Sequence, residues 1–517
     1  MSLSILIWLP LVVGLVGTAL PRPWVGRWNA LGSVVTLAIS ISFLARFSTG
    51  RAGLQFVTDR VWISELGIHY KLGLDGLNVL LVVLTTLLFS VSFLWSARRE
   101  WDRPQLFYFH LGLAESAVLG AFCAQDLALF VTLFDLMLIP FYFLTGMWGS
   151  GDRVKATTKL VIYTLVGSFL MLVAAIATGV LASDQHGTPL TFVFSALRAL
   201  PLSHTSQNWI FLCFALAFLV KMPLVPFHGW LPDAYKSMPT PAVAVFSGVL
   251  SKVAAYGFLR VVLTLFPYAS VHYQTLILLI SLLSIIYATA LAFTTNDTRL
   301  VVAYSSVAQL GFITLGIFSL RPSGSQGALL QMVNHGLVTA PLFFIVAALA
   351  SRAGGSEDLR EMGGIAFRAP MLASLFLIVG LATLAIPGSS NFVGEFLILL
   401  GVFQSKLAVS VIAFLGVIGA AYYALRLYVR SMHNRVGPSV QSREVEPREL
   451  IGIAPLVAVI LALALFPRFG LERSERTVQA TVAPAQLLAG SHPAAQALRD
   501  ARLSGYFLAA SSGSGTP

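Results

Sequence analysis

The stretch WIFLCFALAFLVKMPLVPFHGW, residues 209–230, decides how this chain is read. It is apolar enough to enter a bilayer, yet Lys221 stands inside it, two residues before Pro223 and five before Pro226. A lysine at the centre of a spanning helix costs about 2.5–3.5 kcal/mol on insertion scales. Each proline lacks the N–H that would close a helical hydrogen bond, so the run is expected to break where the charge lies. A broken membrane helix with a buried cation points to an ion pathway rather than a greasy anchor, provided that the rest of the chain supplies partners.

The composition supports that setting. Of the 517 residues, 57% are hydrophobic and 11% charged, and the mean hydropathy is +0.83; a soluble domain carries about 25% charged residues. A spanning helix needs roughly 20 apolar residues. Fourteen such stretches are predicted, at 3–20, 29–46, 76–97, 105–123, 126–148, 157–182, 209–231, 242–266, 273–293, 299–320, 326–351, 370–402, 407–429 and 449–467. The fold class is therefore an all-α polytopic membrane protein. The first stretch lacks a basic leader and reads as a retained span rather than a cleaved signal peptide.

The formal net charge of +11 is a topology signal here, not a nucleic-acid footprint. Arg22, Arg27, Arg98, Arg99, Arg103, Arg153, Lys155, Arg352, Arg360, Arg430, Arg435 and Arg443 all fall in loops on one side of a fourteen-span arrangement. By the positive-inside rule that side is cytoplasmic, which puts both termini outside. Cys123 and Cys213 lie far apart in apolar runs and offer neither a disulfide framework nor a metal motif.

None of the loops 47–75, 183–208 and 430–448 has the apolar content for a core of its own. The tail from about 474 is rich in Ala, Ser and Gly, with a short amphipathic stretch around Ala494–Leu508. Four parts are expected: 1–104 with spans one to three, 105–266 and 267–430 as two five-helix units, and 431–517 with a loop, the last span and the tail. The fourth helix of the first unit is the one broken at Lys221. The fourth helix of the second, 370–402, is over-long and interrupted by Ile386-Pro387-Gly388-Ser389-Ser390, with Glu395 beyond. Breaks at corresponding positions of two halves mark the ion site of inverted-repeat transporters, and an odd number of spans per unit inverts the second.

Further ionisable residues lie within apolar runs: Asp135 in LFVTLFDLMLIPFYFL, Lys252 in AVAVFSGVLSKVAAYGFLRVV, His335 in GALLQMVNHGLVTAPLFF and Glu395 in SSNFVGEFLILL. Glu115, in HLGLAESAVLG, and His228, in FHGWLPDAY, are secondary candidates. Proton transfer needs groups whose charged and neutral forms are close in energy, and burial brings amines and carboxyls toward that condition. Ser247, Ser251, Ser305, Ser306, Thr339 and Gln309 could hold connecting water. The bland readings are a structural ion pair for Asp135 with Lys221, a helix–helix hydrogen bond for His335, an interfacial or structural role for Glu115 and a loop cap for His228. Five such groups in two units, two of them beside helix breaks, favour a conducting axis. No Gly-rich nucleotide loop, CxxC cluster or Ser–His–Asp motif competes with it, so no bond chemistry, metal or redox centre is expected on this chain.

The motifs YKLGLDGLNVLLVVLTTLL (70–88), DLMLIPFYFLTGMWG (135–149), KMPLVPFHGWLPDAY (221–235), LSKVAAYGFLR (250–260), RLVVAYSSVAQLGF (299–312), NHGLVTAPLFF (334–344) and PGSSNFVGEF (387–396) resemble the M-type antiporter-like membrane subunits of respiratory complex I. The resemblance covers nearly the whole membrane portion. It implies fourteen transmembrane helices with two inverted five-helix repeats, broken at helices seven and twelve. It implies that Lys221 pairs with Asp135, that Lys252 is the central relay lysine, and that His335 links toward Glu395 as the terminal protonatable group. A glutamate at that last position is typical of the M-type, where the L- and N-type relatives carry lysine. The implied role is proton translocation driven by quinone reduction in partner subunits. L- and N-type subunits would be its membrane partners, and the NAD(H) or other donor site, the flavin, the Fe–S clusters and the quinone would belong to partner subunits, in a bacterial plasma membrane or a thylakoid membrane. A subunit of a multi-subunit Na⁺/H⁺ antiporter and a structural membrane scaffold are the alternatives. One residue departs from the family pattern: Asp135 stands where glutamate is usual. The missing methylene shortens reach by about 1.5 Å, which predicts a weakened or water-bridged pair with Lys221.

Overall fold

The computed structural model describes residues 2–51 and 53–491. All fourteen predicted stretches are occupied by helix. Eleven helices among the described residues are long and apolar enough to cross a membrane in one piece. The other three stretches are carried by shorter pieces: Leu3–Thr18, His204–Lys221 with the turn Phe227–Trp230, and the pair Pro370–Thr383 and Ser390–Ser405. The predicted stretches are called spans one to fourteen below.

Helix starts follow local chemistry. Asp126 accepts hydrogen bonds from the Ala128 and Leu129 amides at 2.9 and 3.0 Å and caps span five. Ser203 caps span seven and Asp297 caps span ten in the same way. Span fourteen begins with Pro447 at its first position inside a reciprocal Glu446–Glu449 capping box. These side chains satisfy amides that have no partner within the helix.

Both expected breaks are present. Span seven stops at Lys221, and the freed groups are met from elsewhere: the Val225 amide donates to Ser284 Oγ at 3.0 Å, and Trp230 Nε1 donates to the Val220 carbonyl at 3.0 Å. Span twelve opens between Thr383 and Ser390, where Gly388 takes a φ of +92° that a side chain would oppose. There Asn334 Nδ2 donates to the Ser390 carbonyl at 2.6 Å and ties span eleven to the restarted helix.

Two elements went unforeseen. Loop 47–75 holds an antiparallel hairpin, β1 (Gln55–Ile63) and β2 (Ile68–Leu74), so the described chain is not wholly α. Asp59 lies at its side; burial works against the Asp59 charge, but hydrogen bonds from Lys71 and His69 outweigh it and hold the carboxyl below its ordinary value. The tail also contributes a helix, Arg468–Ser491, which buries Val478, Val482 and Ala485 on one face. It accepts from Gln326 Nε2 at the Leu471 carbonyl, 3.0 Å, and from the Gly76 amide at Thr477 Oγ1, 3.2 Å. The stretch Ala494–Leu508 lies outside the described residues.

Spans three, eight and eleven converge on two glycines. A Cβ on Gly336 would stand 2.6 Å from the Gly248 carbonyl oxygen and 2.8 Å from Leu84 Cδ2. Backbone cannot yield as a flexible side chain can, so Gly336→Ala is expected to destabilise the chain by about 1–3 kcal/mol, the usual cost of overpacking. Thermal unfolding of the purified complex checks this; an unchanged midpoint would mean that the helices part freely.

Candidate functional site

Asp135 and Lys221 meet directly. Lys221 Nζ donates to Asp135 Oδ1 at 2.6 Å, Ser168 Oγ donates to the same oxygen at 2.6 Å, and the ammonium lies 4.2 Å from the centre of the Phe134 ring. The expectation of a weakened or water-bridged pair is therefore wrong. Span five is interrupted at Met137, two residues past Asp135, between Leu127–Leu136 and Leu138–Trp148. Pro140 has no N–H to return to the Leu136 carbonyl, which loosens the helix one residue past Asp135. Lys221 sits on the last residue of its own helix and is almost fully enclosed, whereas the Asp135 side chain is 31% exposed.

Lys252 is completely buried. It lies on Ser251–Gly257, between two π-helical turns, Phe246–Leu250 and Phe258–Val262. Such turns widen the helix and recur at functional sites. The Lys252 ammonium donates to the Ser247 carbonyl in the first of them. A cavity of about 20 Å³ bordered by Lys221, Phe134, Phe246 and Leu250 lies between the acid–base pair and this turn; that is room for about one water.

His335 follows on span eleven, where its neighbour Gly336 packs against Gly248, four residues before Lys252. His335 Nε2 lies 3.0 Å from Thr339 Oγ1, while Nδ1 is buried without a protein partner. Glu395 is held by two amides: Gln309 Nε2 donates to its Oε1 at 2.7 Å and Gln331 Nε2 at 3.2 Å, and Gln331 also donates to Gln309 Oε1 at 2.8 Å. Around the second break, Asn334 Oδ1, Ser389 Oγ, Ser390 Oγ and Asn391 Oδ1 are buried without protein partners, as is Ser251 Oγ beside Lys252. Buried polar atoms without protein partners call for ordered water.

His228 is half-buried in the turn after Lys221, with its ring edge-on to Tyr287 at 5.4 Å. Glu115 is completely buried and neither oxygen has a protein partner. Sequence reasoning missed Gln331 and Ser168. Gln331 had a signal: with His335 and Thr339 it forms a polar stripe at four-residue spacing on span eleven. Ser168, one of several hydroxyls in an apolar span, had none. Ser305 and Ser306 both donate to the Val302 carbonyl and keep their acceptor lone pairs.

At one end, the loops holding Asp152, Lys155, Asp233, Lys236, Asp297, Glu357, Asp358 and Arg360 line an open basin of about 830 Å³. Burial raises the Glu357 carboxyl above its ordinary value despite Arg299 at 2.7 Å, whereas hydrogen bonds from Arg360 hold Asp358 below it. Among the described residues no three His, Cys, Asp or Glu side chains are grouped as metal ligands, and both cysteines are free thiols.

This geometry has relatives. Residues 124–420 match the family described as NADH:quinone oxidoreductase/Mrp antiporter, transmembrane region. NADH-quinone oxidoreductase subunit M of Rhodobacter capsulatus is 38% identical over 480 residues, 90% of this chain and 93% of that protein. The subunit M of Escherichia coli K12 is 36% identical over 469 residues, 88% and 92% of the two chains. A chain of respiratory complex I from Thermus thermophilus with bound NADH superposes with a TM-score of 0.84 at 31% identity, covering 93% of this chain and 99% of that one. A chain of the Mrp complex from a Dietzia species shares the fold at 21% identity, with a TM-score of 0.80 over 94% and 98% of the chains. The chain belongs to the family of membrane subunits shared by NADH:quinone oxidoreductases and Mrp antiporters.

Proposed function

We propose that this chain is the proton-translocating, M-type membrane subunit of a complex I-type quinone oxidoreductase, and that its protons move along Asp135/Lys221, Lys252, His335 and Glu395. The observation that carries the reading is the direct 2.6 Å contact of Lys221 with Asp135 at a helix break, with a buried lysine, a histidine and a second break with its own carboxyl beyond it. Attraction between unit charges in contact is worth about 4 kcal/mol at an effective dielectric of about 20. Closing the pair holds the proton on Lys221; opening it, with Asp135 drawn away, releases the proton through water to Lys252 and onward by His335 to Glu395. Gln309 and Gln331 orient the Glu395 carboxyl to receive it.

The driving force comes from electron transfer to quinone in other subunits. L- and N-type antiporter-like subunits are partners in the membrane, the NAD(H) or other donor site, flavin, Fe–S clusters and quinone belong to partner subunits, and this chain performs no redox chemistry. The two five-helix units at 105–266 and 267–430 each have a broken fourth helix, and the assembly lies in a bacterial plasma membrane. The identity to subunits M of quinone oxidoreductases, 36–38% in two bacteria, supports this over an Mrp-type antiporter. Lys221→Ala tests it: the complex is expected to assemble and to lose most proton pumping, read as protons moved per quinone reduced in proteoliposomes. Pumping at the parent ratio would refute the relay.

A further inference from the structure

Glu115 is the one fully buried carboxyl of span four, and the relay above leaves it unused. Its height in the bundle follows from ring contacts. Phe122 of span four packs edge-on against Tyr256 of span eight at 5.5 Å, and Phe130 of span five lies 6.3 Å from the same ring. At the other end of span five, Phe141 meets Phe246 of span eight at 4.8 Å. Span five thus runs antiparallel to span eight. Span four turns tightly into span five at 124–126, and its Phe107 meets Trp148 at 5.3 Å, so it runs parallel to span eight.

Counting back seven residues from Phe122 opposite Tyr256 places Glu115 level with residue 249, within a turn of Lys252. The Lys252 ammonium reaches back toward that level to donate to the Ser247 carbonyl. Seven residues make about two helical turns, so Glu115 shares the face of span four that carries Phe122 toward span eight. Tyr108, two further turns back on that face, stacks with Phe93 of span three at 6.2 Å, and Leu88 of span three abuts Gly248 of span eight. Glu115 therefore lies in the seam of spans three, four and eight, at the depth of the central lysine.

A structural carboxyl in such a place would be expected to hold a cation or accept backbone amides, because a buried polar group without partners is costly. Neither Glu115 oxygen has a protein partner. We propose that Glu115 is a further proton-carrying residue, which exchanges a proton with Lys252 through water. The Lys252 ammonium gives a proton to the bridging water, breaking N–H; the water passes a proton to the Glu115 carboxylate, forming O–H; the reverse step restores both. Amine and acid replace ammonium and carboxylate, so the seam keeps its net charge and stores one proton beside the relay. Among the elements packed against span four, spans one and three, Leu3–Thr18 and Val79–Ser96, contain no titratable group; span two carries Arg22, Arg27 and Arg46 near its ends, span eight Lys252, Tyr256 and Arg260, span five Asp135 and Tyr142, and span four itself Tyr108, His110 and Cys123.

This inference rests on the relay reading, and the experiment separates the two. Glu115→Gln, Glu115→Asp and, as control, Lys252→Met are compared in the assembled complex in proteoliposomes. Glutamine matches the shape and hydrogen bonding of a neutral carboxyl, so a purely structural role predicts parent-like pumping. The expected result is a severalfold loss of protons pumped per quinone reduced in Glu115→Gln, loss of one protonated-carboxyl band in infrared difference spectra, and pumping largely kept by Glu115→Asp with a shifted pH profile. Parent-like pumping and spectra in Glu115→Gln would overturn the proposal alone. Should that variant not assemble, an unshifted pH profile in Glu115→Asp would overturn it. Pumping by Lys252→Met would instead bring down the relay reading.

Discussion

Replacing Lys252 by arginine is expected to stop proton transfer through this chain even though the positive charge is kept. Lys252 is fully buried, donates to the Ser247 carbonyl, and among the described residues makes no ion pair. Its value to a relay is that an ammonium in such a place can become an amine and return. A guanidinium cannot give up its proton in a protein, and its five donors need partners in a fixed fork. Positioned proton-transfer groups contribute about 10²–10⁴-fold to the steps they serve, so pumping in Lys252→Arg is expected to fall by about 10²-fold. Protons moved per quinone reduced, measured on the assembled complex in sealed vesicles, provide the check. A scaffold role makes the opposite prediction, because arginine preserves the charge that holds helices together. Wild-type pumping by Lys252→Arg would leave the scaffold reading standing.

The largest stability effect is expected far from that axis, at Arg352. Its side chain is wholly enclosed where span eleven ends against the start of span fourteen. It grips Glu449 through two bonds of 2.8 Å and donates to the Arg443 and Glu444 carbonyls at 2.7 and 2.9 Å. Glu449→Ala removes the counter-charge and leaves a buried guanidinium uncompensated, at a cost of about 3–5 kcal/mol. That change also dissolves the capping box of span fourteen. The variant is expected to accumulate poorly in the membrane and to unfold at a markedly lower temperature. Combining Arg352→Met with Glu449→Leu should recover most of the loss, since apolar groups of similar size often replace a buried pair without penalty. A single variant as stable as the parent would show that water reaches the site.

Much of the fold was legible in the sequence. Pro10, Pro341 and Pro455 lie inside continuous helices, so a proline alone does not place a break; Pro223 and Pro226 beside the charge of Lys221, and Pro387 beside Gly388-Ser389-Ser390, did. Charges inside apolar runs marked Asp135, Lys252, His335 and Glu395. The tail helix left a fainter trace: Val478, Val482 and Ala485 share one face, but charged residues between Arg468 and Arg476 hid it from a hydropathy reading. The π-helical turns around Lys252 left no trace that we can identify, because they depend on what span eight packs against.

The Asp135–Lys221 pair marks the boundary between the two kinds of knowledge. Residue types, their depth in apolar runs and the broken helices are local properties, and a linear sequence determines them through hydropathy and backbone hydrogen bonding. Whether two side chains 86 residues apart touch at 2.6 Å, or Glu395 meets Gln309 and Gln331 rather than a cation, depends on how helices pack. Packing responds to the loosened turn at Met137 and the approach of Gly248 to Gly336, which shift atoms by an ångström or two. That is the scale on which a hydrogen bond forms or fails, and only the tertiary structure decides it.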